Sequence, residues 1–311
     1  MSSGGGLGSH KRIRIGLLLL LSISMVSSAS VLIKMSSSHP LVIVFWRTLL
    51  GGILMALAAL PHRGYQSIAS DGFRECWKWL LLIGMVLSLH FYTWFTSLTL
   101  TTIPASVALV NISPIFTAAF STFVLREPLG RVSWSGVLVA VTGVFVVAWN
   151  DLTVSGLGAV TGDLLSIISG FLLAVYFIGG RRYAKGLPIA VYTMIVYLSA
   201  AGATLLLCFA MSIDVVVLDA AELTIFLALA LFPTALGHSV NNYLLTLVPA
   251  YVVSSAVLGE PIGATILGIL VFGESQIPTP LGLVGFVVVL SGIGLVLAGV
   301  GRGSSQSDHG T

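Results

Sequence analysis

Long apolar runs, separated by short polar or Pro/Gly-bearing segments, follow one another along nearly the whole chain. A helix needs about 20 residues to cross a bilayer. At that length the pattern predicts ten spans, at 13–34, 41–60, 78–98, 102–125, 133–149, 161–180, 188–210, 222–244, 247–272 and 279–299. The boundaries at 98–102 and 244–247 are the shallowest. Pro104 and Pro249 mark helix starts there, since proline suits a first turn and breaks an interior one. Outside the spans, the Gly/Ser-rich ends 1–12 and 300–311 are expected to be disordered cytoplasmic tails.

Composition leaves few function classes standing. The chain is 57 % hydrophobic and 8 % charged, with a mean hydropathy of +1.06. A soluble domain carries roughly a quarter charged residues, so a soluble enzyme and a nucleic-acid binder are both excluded. The net charge of +3 instead reflects one-sided loops. With the N-terminus in the cytoplasm, twelve of the fourteen Lys and Arg residues fall inside, from Lys11, Arg12 and Arg14 through Arg181, Arg182 and Lys185 to Arg302. The outer loops hold Asp151, Asp214, Asp219 and Glu222 instead. That asymmetry sets both termini in the cytoplasm. Cys76 and Cys208 are too few for a disulfide framework and wrongly spaced for a metal site.

The first span, with Lys-Arg-Ile-Arg before it and Ser-Ser-Ala-Ser after, also has the layout of a cleaved signal peptide. An internal repeat argues for keeping it. Pro104, Pro114, Glu127, Gly136 and Gly143 recur as Pro249, Pro261, Glu274, Gly285 and Gly292. Proline to glutamate spans thirteen residues in both copies (114 to 127, 261 to 274), and glycine to glycine seven. Lys34 and Pro40 after span one match Arg182 and Pro188 after span six. Units 13–150 and 158–299 then hold five spans each, an odd number, so the two lie inverted in the membrane.

His-Pro-Leu-Val-Ile-Val-Phe-Trp-Arg at 39–47, Gly162-Asp163, Gly259-Glu260-Pro261 and the paired Glu127 and Glu274 together resemble the EamA branch of the drug/metabolite transporter superfamily. The resemblance covers residues 13–299. It implies a ten-helix secondary carrier of two inverted five-helix repeats, often an exporter of amino acids or other small metabolites. Spans five and ten would be peripheral, and the rest would surround a central cavity.

Ionisable groups inside the hydrocarbon region are functional candidates by default. Arg47, some way into span two, could hold a solute carboxylate or phosphate through its planar fork, or could snorkel outward or pair with an acid. Glu260, in mid-span before Pro261, is either a proton-coupling carboxylate, a clamp on a solute amine, or a structural acid. Ser113-Pro114 is its uncharged repeat counterpart, so both prolines are expected to kink helices facing one cavity. His90 and His238 occupy matching spans and could shuttle protons or simply pack. Tyr92, Trp94, Asn111, Tyr176, Asn241 and Asn242 offer aromatic faces and amides suited to an amphipathic solute. Glu127 and Glu274 read as helix-end anchors and Asp163 as a capping acid. Trp149 reads as an interfacial belt residue.

The serines of span one and the Gly136/Ala140/Gly143 stripe read as close-packing faces, the stripe also serving for a homodimer contact. The Gly4–Gly8 run lacks the strand and helix of a nucleotide loop, and no hydrolase, metalloprotease or Walker motif occurs. No enzyme activity, cofactor, metal or nucleic acid is expected. The partners are a small solute and the lipid of the plasma membrane. The function expected is alternating-access transport of small organic metabolites, with export of amino acids or related amphipathic compounds as the leading form. Exchange of anionic metabolites such as sugar phosphates, or a non-transporting receptor or assembly role, are the alternatives.

Overall fold

The computed structural model describes residues 9–61, 64–127, 129–273 and 277–306, all of whose regular structure is helical. Fourteen α-helices follow in chain order: α1 Ser9–Val26, α2 Ala29–Met35, α3 Pro40–Ala59, α4 Asp71–Leu100, α5 Ile103–Val110, α6 Ser113–Phe123, α7 Arg131–Ser155, α8 Val160–Tyr183, α9 Ile189–Ala210, α10 Ala220–Leu229, α11 Ser239–Leu247, α12 Ala250–Ala256, α13 Glu260–Phe272 and α14 Pro280–Gln306. A π-helical stretch, Ala230–His238, joins α10 to α11. Among the described residues, eight continuous or broken helices are long and apolar enough to cross a membrane, and α7 and α14 accompany them. The chain is thus an integral, multi-pass membrane protein. α1 begins at Ser9 and α14 continues to Gln306, so the expected disordered tails are helical where described and otherwise lie outside the described residues.

Helix starts follow from local chemistry. Pro40, Pro104, Pro114 and Pro261 each occupy a first turn, where a missing N–H leaves no bond unmade. Ser70, Thr102 and Asp219 cap α4, α5 and α10 by accepting from the backbone N–H of Phe73, Ala105 and Ala221.

Four spans are broken rather than continuous. In the first, the Ser27 and Ser28 hydroxyls donate to the carbonyls of Ile23 and Met25, each at 2.8 Å, and α1 gives way to α2. Such back-bonding competes with the helical ladder and bends it. Asn111 does the same to Val107, and with Pro114 separates α5 from α6. A 3₁₀ turn, Val257–Gly259, precedes Pro261 between α12 and α13. In the π stretch, Pro233 cannot donate to the carbonyl of Leu229, and the Thr234 hydroxyl takes its place at 2.7 Å.

Packing pairs α4 with α8 and with α9, α3 with α9, α6 with α12, and α1 with the π stretch. α7 lies along α14, glycine to glycine. A Cβ on Gly292 would sit 2.6 Å from the Gly136 carbonyl, and one on Gly143 would sit 2.5 Å from the Val289 nitrogen. The small-residue stripe is therefore consumed within the chain, covered by α14, and offers no open face for a homodimer.

Candidate functional site

The helix breaks converge on one small cavity. Val26 and Ala29 flank the break in the first span, Val110 ends α5, and Val257 and Glu260 border the 3₁₀ turn. His90 and Trp94 enter from α4, Phe177 from α8, and His238 and Asn241 from the end of the π stretch and α11. The cavity measures about 20 Å³, room for little more than a water molecule. Sites holding a small organic molecule measure roughly 300–1,000 Å³, so the cavity as it stands is too small to hold one.

Glu260 is 6 % exposed, at the first turn of α13, with the Asn111 side chain against its carboxylate. Two helix breaks thus meet at one acid. His90 is held by Ser169 of α8: its Nδ1 lies 3.0 Å from the Ser169 carbonyl and 2.8 Å from the hydroxyl, which itself donates to the His90 carbonyl. A carbonyl can only accept, so Nδ1 carries a proton and donates to it. Trp94 stacks on His90, with 6.3 Å between ring centroids and 13° between planes. His238 stands edge-on to Phe91 and Tyr176. Behind it, Asn242 donates to the Tyr176 hydroxyl and to the His238 carbonyl, which ties α11 to α8.

Arg47 behaves unlike either structural role open to it. It is 0 % exposed, so it does not snorkel. No acid lies within ion-pair distance of it among the described residues. Its Nε donates to the Thr234 hydroxyl at 2.7 Å, and its guanidinium lies 4.0 Å from the centre of the Phe91 ring and 5.5 Å from that of Phe95. Both Nη atoms are buried without a partner.

The structure therefore brings His90, Trp94, His238 and Glu260 to the cavity, sets Asn111 against Glu260, and places Tyr176, Asn242 and Arg47 one layer behind. Pro114 and Pro261 are buried at two of the breaks. Tyr92 is half-buried and does not line the cavity. It lies about 200° around the helix from His90, at 100° per residue, so it shares no face with it. Asn241 lines the cavity and is held by Ser22 of α1, a serine read from sequence only as a packing residue.

Ties at the two ends of the bundle frame the site. Glu127, beyond α6, pairs with Arg181 of α8 at 2.8 Å, and Arg181 also donates to the Leu245 carbonyl near the end of α11. Glu274 lies outside the described residues. At the opposite end, Lys34 donates to the Thr101 carbonyl beyond α4. Glu222 of α10, read as an outer-loop acid, is instead buried. Its carboxylate accepts from the Ser36, Ser37 and Ser38 hydroxyls and from the Ser37 N–H. Three consecutive serines facing a helix-starting glutamate were the available signal. Asp163 is buried in the first turn of α8.

Membrane-length helices broken around a small central cavity make this a multi-pass membrane protein, and its likeness to known proteins gives its class, a transporter. The chain belongs to the EamA-like transporter family, whose model matches residues 14–149 and 160–298. It is 29 % identical over 228 residues to the uncharacterized transporter YdfC of Bacillus subtilis (strain 168), covering 69 % of each chain. A second relative is a probable 4-amino-4-deoxy-L-arabinose-phosphoundecaprenol flippase subunit, ArnE, of Pseudomonas fluorescens. Identity there is 28 % over 101 residues, covering 32 % of this chain and 87 % of that one. A protein of known crystal structure superposes with a TM-score of 0.69 at 18 % identity, covering 92 % of this chain and 98 % of that one, a likeness of fold.

Proposed function

We propose that this transporter is a secondary carrier of ten spans in two inverted five-helix units, moving small amphipathic metabolites, amino acids among them, outward by alternating access. The observation that carries the reading is the small cavity where Glu260, His90 and His238 meet at four interrupted helices. Interrupted helices place free backbone groups and a carboxylate where a solute and a coupling ion can bind in midplane. The packing supports the inverted repeat. Exchange spans one to five with six to ten, and the pairing of α4 with α8 becomes that of the π stretch with α1. The pairs α3·α9, α6·α12 and α7·α14 map onto themselves. The family's two matched segments divide the chain at the same place, between 149 and 160.

Loop charge supports a plasma-membrane orientation with both termini cytoplasmic. Glu127–Arg181 and Arg181–Leu245 then close the inner end, and Glu222 with its three serines closes the outer end. Glu260 couples transport to a proton gradient. The test is flux of radiolabelled phenylalanine and leucine in proteoliposomes. Saturable, protein-dependent counterflow is expected; flux no faster than in protein-free vesicles, for these and a wider metabolite panel, would contradict the carrier reading.

A further inference from the structure

Among the described residues, Arg47 is the largest side chain that is fully buried, and it brings a positive charge with it. A buried charge is retained only where something compensates it. Here the protein supplies partial compensation: one neutral hydroxyl on Nε and two aromatic faces, those of Phe91 and Phe95, beside the guanidinium plane. The two Nη atoms, the pair of donors that matches a carboxylate, have no partner among the described residues. Glu260 sits in the same buried region and still makes no ion pair with Arg47. The fork is buried with both of its terminal nitrogens unpaired among the described residues.

Its position connects it to the transport cavity. Phe91 packs against Arg47 on one side and meets the edge of the His238 ring, 5.3 Å away, on another. A single aromatic ring thus separates the guanidinium from a residue lining the cavity. The element that holds Nε, through Thr234, is the π stretch, a segment with Pro233 in it and a helical ladder already interrupted. Any widening of a cavity of about 20 Å³ to admit a solute must move the elements that border it, and His238 belongs to this stretch.

We infer that the Arg47 guanidinium is the binding site for the carboxylate of a monoanionic or zwitterionic solute, with Phe91 and Phe95 packing its face. The inference rests on the carrier reading above and names the solute group that reading leaves open. A carboxylate fits better than a phosphate ester. Arg47 is the single fully buried cation among the described residues, and Lys34 is engaged with Thr101 at the bundle's end. One unit of positive charge balances one carboxylate. A doubly charged phosphate would bring an uncompensated charge into a buried site.

The test uses two matched pairs of probes on the purified full-length protein: phenylacetate with phenylacetamide, and L-phenylalanine with L-phenylalaninamide. A ligand that binds only the folded state raises the melting temperature with concentration. Each carboxylate is expected to bind about tenfold or more tightly than its amide, the difference made by a charge-assisted bidentate contact. R47Q should abolish that preference. R47K, which keeps the charge, should weaken carboxylate binding by about tenfold, since a point charge replaces the fork; this second variant reads the site if R47Q does not fold. Equal response to both members of each pair, or an R47Q protein that keeps the preference, would overturn the assignment. Amides that bind and are carried while carboxylates are not would overturn it and leave the carrier reading intact. No binding of any of the four probes would overturn the assignment, while the carrier reading falls only if the wider metabolite panel also shows no protein-dependent flux.

Discussion

Thr234 carries two duties with one hydroxyl. It donates to the Leu229 carbonyl that Pro233 cannot serve, and it accepts from Arg47 Nε. Replacing it by valine keeps the shape and leaves both groups buried without their partner. A lost partner of this kind costs about 1–3 kcal/mol, so T234V should melt clearly below the wild type in detergent, whereas T234S should not. Equal melting of T234V and wild type would show that the π stretch does not depend on this hydroxyl. Sequence reading at this scale singled out Arg47, His90, His238 and Glu260 because ionisable groups stand out in an apolar chain, and the structure buries all four. It misplaced Tyr92, which is two residues from His90 and on another helix face. The serine collar around Glu222 was also missed, since three serines after a helix read equally well as a loop.

Elements were legible to the extent that proline and glycine mark them. Pro104 and Pro249 stand at the turns where two spans nearly merge, with α5 and α12 starting beside them. Pro114 and Pro261 stand beside two of the four breaks. The break at Ser27–Ser28 was hidden, because serine bends a helix only when its hydroxyl turns back onto the backbone, a choice no spacing reveals. The π stretch had a visible signal, a proline in mid-span followed by a hydroxyl residue, at Pro233-Thr234. The glycine stripe was correctly seen as a close contact, but its partner was not, since α14 lies well over a hundred residues away in sequence. Close contact makes a direct prediction. G292A puts a methyl group into the α7 backbone beside Ala140 and Gly136, and overpacking of this kind costs about 1–3 kcal/mol. G294A on the same helix meets open space. Only the first should lower the melting temperature; equal effects would mean that α7 and α14 do not seat through these glycines.

At the scale of the whole molecule, the proposed orientation and coupling rest on charge. Cys76 lies near the start of α4, toward the basic end of the bundle, and Cys208 is buried near the end of α9. A membrane-impermeant thiol reagent should modify Cys76 in inside-out vesicles and leave it untouched in intact cells. Modification from outside would reverse the assigned orientation. The all-helical, multi-pass character was legible from the apolar runs, while the small size of the central cavity was not, because residue order says nothing of which conformation the bundle adopts. The proposed mechanism makes Glu260, buried at the cavity, the acid that takes up and releases a proton as access changes sides. E260Q keeps its size and most of its hydrogen bonding while removing the titration. The most direct test is solute accumulation in proteoliposomes with and without an imposed pH gradient. The wild type should concentrate solute in response to the gradient, and E260Q should exchange solute without concentrating it. If E260Q still accumulates solute against its gradient, the proton is carried elsewhere and the role assigned to Glu260 is wrong.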